Sequence, residues 1–357
     1  MIRLLAPLAA AALLCAGLAH AASNPVYRIK ELGPTPHGWA SQALAISDRN
    51  VIVGWVQQDH NGPQVAAVWQ ADGGVQTIGT LPGVDTSFAT GVNKAGQVVG
   101  YAGTFDQPLA FLWDATNGMQ ALGAFDPSHP NSMANGINDE GIVVGRSVTA
   151  AGATHAFTWT AAGGLADPFP DNDGSEANAV NAQDQWVGGV WGTDSEVGVR
   201  VNQGGKKTPL GFITEDSPYA YGKALNTAGQ VVGSAGSTDG TNHAFVWDKL
   251  HGVQDLGVLP GGTYSNALGI NDIGQVVGLS DTPQGRGTVN VPFYWDARIG
   301  MVKLTDLIPD DDPLKAAIQF DAAQAINGRG VIVANGTITL PGYANPRYRA
   351  FLLIPQK

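Results

Sequence analysis

The sequence predicts an all-β chain: a seven-bladed β-propeller of four-stranded blades, closed by an N-terminal strand in the last blade. Three observations predict it. The first is a motif that recurs in order along the chain. Val92-Asn93-Lys94-Ala95-Gly96-Gln97-Val98-Val99-Gly100 returns from Ile137 to Gly145, from Leu225 to Gly233 and from Ile270 to Gly278, with weaker copies from Ile46 to Gly54, Val180 to Gly188 and Ile326 to Ala334. The copies end at 54, 100, 145, 188, 233, 278 and 334, a period near 45 residues that lengthens to 56 only at the last step. Such a period, filled with short strand-like runs, marks a propeller array. The second is a small residue just before the Ile, Val or Leu of the motif in every copy: Ala45, Gly91, Gly136, Ala179, Ala224, Gly269 and Ala325. Inner strands converging on an axis exclude bulk there; an open two-sheet sandwich makes no such demand in every copy. The third is that the ends complement each other. The last copy stops after its third segment, at Arg349-Ala350-Phe351-Leu352-Leu353, while Tyr27 to Gly33 reads as an unmatched fourth segment ending in Leu-Gly. Pairing the two closes the ring and removes two exposed strand edges.

Each repeat supplies four segments. The first is Ser-x-Ala-x-small-Ile/Val-Asn, as in Ser87 to Asn93. The serines that open it, Ser41, Ser87, Ser132, Ser175 and Ser265, recur at one register and read as structural. A tight turn follows, ending in Gly96, Gly141, Gly229, Gly274 or Gly330, with Asn50 and Asp184 in the same slot. Gly, Asn and Asp are the residues that best tolerate positive φ, so the slot calls for a left-handed backbone. The Asn that opens the turn is placed to bond the backbone two residues on. The second segment is Gln-Val-Val-Gly, the third an apolar and aromatic run such as His155 to Trp159, and the fourth Gly-Val-Gln-Asp-Leu-Gly, as in Gly252 to Gly257. β-Branched and aromatic runs bounded by Gly, Asn, Asp and Pro read as strands. No segment after the leader shows sustained helical periodicity.

Residues 1–21 read as a secretory signal peptide: Arg3, an apolar run from Leu4 to Leu18, then Ala19-His20-Ala21 as the cleavage site. The apolar run is too short for a membrane span. Residues 22–357 form one domain, with no linker or low-complexity tract. The one cysteine, Cys15, leaves with the leader, so the mature chain has no disulfide and no thiolate ligand. A net charge of −11 and a charged fraction of 14% argue against binding a phosphate backbone, which needs clustered Lys and Arg. Together these point to a secreted, periplasmic or extracellular monomer with no nucleic-acid partner.

The combination Ile-Asn-x-x-Gly-Gln-Val-Val-Gly, His-Ala-Phe-x-Trp and Asp-Leu-Gly resembles the HAF family of bacterial extracellular repeats, named for the tripeptide at His155-Ala156-Phe157 and His243-Ala244-Phe245. The resemblance spans roughly residues 27–353. It implies a secreted bacterial propeller and brings no catalytic residue with it. The fourth copy departs most: Gly198 to Asn202 lacks the His, Phe and Trp.

Residues repeated blade by blade serve packing, so His155, His243, Trp69, Trp113, Trp159, Trp247 and Trp295 read as structural. Function lies where copies differ. In a four-stranded blade the loops joining strands two to three and four to one open on the same face, and these loops vary most. Trp55, Tyr101 and Trp191 sit beside them without recurring, and exposed aromatics there would stack on sugar rings or on side chains of a protein ligand; Trp39 shares this character. Asp171, Asp173 and Glu176 offer oxygen ligands at roughly alternate positions, a loose calcium-like pattern without full EF-hand spacing; no other cofactor is implied. Asp310-Asp311-Asp312, in the longest insertion, reads as a solvated cap. No nucleophile elbow and no His-Glu-x-x-His motif occurs, and His60 and Arg286 lie on different blades. The sequence therefore favours a non-catalytic binding or scaffold propeller for a glycan or protein ligand. The alternative is an extracytoplasmic hydrolase or lyase acting on glycans or lactones from scattered loop residues.

Overall fold

Seven antiparallel sheets of four strands each stand around an axis, in a computed structural model that describes residues 24–33, 38–70, 74–192, 195–339 and 345–356. The expected leader, residues 1–21, lies outside the described residues. Six blades are built from consecutive strands. The seventh is mixed: Ile318–Ile326, Ile332–Ile338 and Arg347–Pro355 come from the C-terminus, and Tyr27–Leu32 from the N-terminus adds the outer strand. Tyr27 pairs with Pro355 and Leu32 with Ala350, in unbroken register. The ring is therefore closed by joining its two ends, as the unmatched segment predicts.

The core is a set of seven clusters, one between each pair of neighbouring blades. Each strand turns its two faces to two neighbours, so both sets of alternating side chains are buried. The seam between the first and last blades is typical: Leu32, Ala43, Ile52, Trp69, Val333 and Leu352 pack together. The recurring tryptophans belong to these clusters, Trp69 fully buried and Trp247 nearly so, with Trp113, Trp159 and Trp295 half-buried against them. The recurring histidines are tied within their blades: His155 Nδ1 meets Asp167 at 2.7 Å and His243 Nδ1 meets Asp255 at 3.0 Å, each linking strand three to the strand-four side.

Polar side chains couple the blades by repeated bonds. Ser87, Ser132 and Ser265 are wholly buried. Each hydroxyl accepts from a strand-three amide of the preceding blade, Ala66, Ala110 and Ala244, and donates to the carbonyl of Gly79, Gly123 and Gly257 in the same blade. At the tight turns, Asn93 Oδ1 accepts from the amides of Ala95 and Gln97, while its Nδ2 donates to the carbonyl of Asn138 in the next blade at 3.0 Å. The relay continues from Asn138 to Asn181, Asn226, Asn271 and Asn327, and from Asn327 to the carbonyl of Ser47. Ser47 replaces Asn in the first blade and is too short to continue it. At that seam Lys94 Nζ bridges Asp48 at 3.2 Å and Asp139 at 3.0 Å instead. The turn slot has φ near +80° at Gly96, and Asn50 and Asp184 adopt φ of 60° and 55° in it.

The small residues on strand one mark the closest approach to the axis. A Cβ on Gly269 would lie 3.0 Å from the Cα of Ala325 in the next blade, and one on Gly136 would lie 3.3 Å from the Cα of Ala179. Strand one also carries a β-bulge one residue earlier in the blades, as between Ala43 and Ala45 or Gly222 and Ala224.

The Asp310-Asp311-Asp312 run differs from the expected solvated cap. Asp312 is 5% exposed, and its carboxylate accepts from the amide of Ile29 at 3.0 Å and from that of Leu314. Asp311 pairs with Arg28 at 2.7 Å. The insertion that lengthens the last repeat thus clamps the closing strand, which has no covalent turn to hold it to its blade. The chain's helical content among the described residues is two short 3-10 turns in this insertion, Leu304–Leu307 and Lys315–Ala317. No described helix is long and apolar enough to cross a membrane.

Candidate functional site

The two faces of the ring are built differently. The tight-turn face repeats one geometry. Its axial mouth is a hollow of about 240 Å³ lined by the motif turns, with Asp48, Asp139 and Asp272 carrying negative charge and Lys94 held between the first two. Beneath it the motif's Ile, Val and Leu side chains, such as Ile46, Val92, Ile137 and Ile270, form an apolar collar shared with the chamber below. That axial chamber, about 460 Å³, is lined at the bulge by Leu44, Thr90, Asn135, Asn178, Lys223, Leu268 and Gln324. The bulge turns these side chains toward the axis.

The opposite face carries the variable loops. Between blades two and three they leave a groove of about 560 Å³, walled by Leu81, Pro82 and Val84 on one side, Gln107 and Leu109 at its base, and His129, Pro130 and Asn131 on the other. Asp106 and Asn131 continue it into a smaller hollow with Phe105, Arg146 and Thr154. Phe105 is 73% exposed, with the Arg146 guanidinium 6.0 Å from its ring centre. Arg146 is half-buried and also donates to Met133 Sδ.

The aromatics singled out in the sequence fall on this side of the ring. Tyr101 is half-buried and stacks on Phe88, ring centres 4.9 Å apart; burial pushes its phenol pKa up, opposed by the nearby charge of Arg146. Phe88 in turn meets Trp55 edge-on at 6.4 Å. A strip therefore runs from Trp55 through Phe88 and Tyr101 toward Arg146 and Phe105. Trp55, expected as an exposed stacking surface, is only 9% exposed, and its indole donates to Gln42 Oε1 at 2.8 Å. The strand-two register that pairs Trp55 with Gln42 turns it into the seam with blade two. The exposed ring of the strip is Phe105, which sequence reasoning missed because loop phenylalanines carry no periodic signal. Trp191 is half-buried on blade four, packed over Gly174, which also abuts the carbonyl of Thr154. Trp39 supports the ring closure: the Arg347 guanidinium lies 3.5 Å from its ring centre, and His60 meets it edge-on at 4.0 Å.

Asp171, Asp173 and Glu176 do not converge. Asp171 and Asp173 are exposed in the loop before strand one. Glu176 lies on the strand and accepts from the Tyr221 hydroxyl, a bond that together with burial pushes the tyrosine pKa up. Among the described residues, no group of three His, Cys, Asp or Glu side chains is placed to hold a metal ion.

No protein-family model and no curated protein matches the chain. Solved structures do match it as a fold. Oligogalacturonate lyase from Vibrio parahaemolyticus superposes with a TM-score of 0.57 at 11% identity, covering 91% of this chain and 93% of that one. Virginiamycin B lyase from Staphylococcus aureus gives a TM-score of 0.52 at 11% identity, covering 92% and 99%. At this identity the likeness is one of architecture, and chemistry belongs to sites grafted on it.

Proposed function

We propose that this protein is a non-catalytic binding propeller that docks a glycan on the variable face, over blades two and three. The observation that carries this reading is the groove itself. It falls within the size range of ligand pockets, has an apolar wall, polar groups at Asp106, Gln107 and Asn131, and the exposed Phe105 ring beside the Arg146 guanidinium. A sugar ring offers an apolar C–H face to an aromatic and hydroxyls to amides and carboxylates, which is the complement of this lining. Tyr101 and Trp55 back the strip from beneath rather than form its surface. Aromatic pairing contributes about 0.5–1.5 kcal/mol beyond area burial. One exposed ring plus a few hydrogen bonds gives a weak single contact, which becomes effective on a multivalent surface.

The test is a glycan array probed with the purified chain and with Phe105→Ala and Arg146→Gln. The reading predicts binding that either substitution reduces about tenfold or more while leaving the melting temperature within a degree or two. Binding that survives both substitutions, or that is confined to proteins, contradicts it.

A further inference from the structure

The axial chamber contains one charged side chain among its lining, Lys223. Six of the blades place an uncharged residue at the same bulge position: Leu44, Thr90, Asn135, Asn178, Leu268 and Gln324. The ring therefore closes without a cation at this register, and Lys223 is the exception. Among the described residues no hydrogen bond or ion pair holds its ammonium. Channel water reaches the side chain, which is exposed within the lumen. The surrounding blades nonetheless strip hydration from it, which lowers its pKa, with the negative charge of Glu176 acting in the opposite direction. Leucine or glutamine fills this position in other blades, so packing of the ring does not call for a lysine here.

We propose that the axial chamber binds a small hydroxylated carboxylic acid, its carboxylate paired with Lys223 and its hydroxyl groups read by the side chains of Thr90, Asn135, Asn178 and Gln324. The polar ring is partly committed in a way that leaves room for this. Asn135 Nδ2 donates to the carbonyl of Ala177 and Asn178 Nδ2 to that of Gly222, each through one of two N–H groups. Thr90 Oγ1 lies 2.7 Å from the carbonyl of Ala134 and 3.2 Å from that of Val99, and its one O–H can donate to either, which leaves it the capacity to accept from a ligand hydroxyl. A volume of about 460 Å³ suits a single sugar acid or a molecule of similar size. The way in is from the variable face. On the other side an anion would have to pass the Asp48, Asp139 and Asp272 carboxylates, which outnumber the one ammonium of Lys94 there, and then the apolar collar. This site is separate from the groove between blades two and three, and neither reading depends on the other.

The experiment is a calorimetric titration of the purified chain with galacturonate and gluconate, each compared with its neutral counterpart, galactose and glucitol. The proposal predicts that at least one acid binds and that its neutral counterpart binds about tenfold or more weakly, as expected when a charge-assisted bond is lost. Lys223→Gln and Lys223→Leu should abolish the preference for the acid. Both introduce residue types already found at this position of the ring, so the melting temperature should hold or rise. Acid binding should also weaken as the pH rises through the Lys223 pKa, at a pH below that of an ordinary lysine; the ionisable group whose charge acts on Lys223 is Glu176, itself bonded to the Tyr221 hydroxyl, and Glu176→Gln separates its contribution. Equal binding of acid and neutral sugar, acid binding that Lys223→Gln leaves intact, or no binding of either acid overturns the proposal.

Discussion

Removing the closing strand should destabilise the ring by an amount that follows from what the strand buries. Deleting residues 22–33 takes away the strand Tyr27–Leu32, whose Tyr27 and Leu32 are each 1% exposed. Full burial of a large apolar side chain contributes about 1.5–3 kcal/mol, so the two together contribute about 3–6 kcal/mol. The ladder to Arg347–Pro355 adds hydrogen bonds of about 0.5–1.5 kcal/mol net each, and ordering each strand residue costs about 1–2 kcal/mol. These last two contributions largely cancel, leaving the side-chain burial. Domains are stable by about 5–15 kcal/mol in total, so the truncated chain should lose about a fifth or more of its stability. At about 2–4 °C per kcal/mol for domains somewhat smaller than this one, the melting temperature should fall by roughly 10 °C. The newly bared edge of the last blade should also promote association visible by gel filtration. The full-length variant Tyr27→Ala/Leu32→Ala keeps the ladder and should show most of the thermal loss without the association. Scanning calorimetry of the three chains checks this; an unchanged melt in the truncated chain would refute the closure argument.

Other predictions follow from single contacts. Ser47→Asn should continue the Asn relay at its break and raise stability by about 0.5–1.5 kcal/mol, read as a shift in the urea midpoint. Asn226→Ala should cost about 1–3 kcal/mol, because it leaves the turn amide of Gln230 without its acceptor and removes the bond to the Asn271 carbonyl of the next blade. Gly269→Val should prevent folding or lower the melt severely, since even its Cβ approaches the Ala325 backbone at 3.0 Å. Asp321 has one carboxyl oxygen buried without a partner among the described residues, and burial raises its pKa. A folded-state pKa above the unfolded value stabilises at low pH and is lost as pH rises through the folded pKa. Asp321→Asn should therefore stabilise the chain at pH 7 more than at pH 3; a larger gain at pH 3 would reverse the sign of the argument.

The architecture was legible because its causes are local and repeated. The left-handed turn slot forces Gly, Asn or Asp, the axis forces Ala or Gly at one register, and an orphan strand at one end must match a gap at the other. The serines opening strand one were legible as structural, though not as bonds spanning two blades. The functional surfaces were less legible for physical reasons. Lys223 sits inside the most regular part of the repeat, where simple strand alternation assigns its side chain to a sheet face; the β-bulge beside it redirects that position to the axis, and a bulge leaves little trace in the residue pattern. Trp55 and Phe105 differ in burial because one lies in a paired strand and the other at a loop tip, a difference of one register position and a few residues. Asp312 read as solvated because its partner, the amide of Ile29, is 283 residues away in sequence.

The central claim is that the variable face, not the tight-turn face, receives the ligand. The only cysteine in the sequence is Cys15, outside the described residues; with it replaced by serine, each face can be blocked selectively. Val84→Cys in the wall of the groove on the variable face and Ile273→Cys on the tight-turn face replace side chains that are 38% and 71% exposed. Each is coupled to a bulky maleimide and probed on the glycan array beside the unlabelled chain. The account predicts that labelling at position 84 abolishes binding while labelling at position 273 leaves it unchanged; loss of binding on labelling at 273, with binding retained at 84, would contradict it.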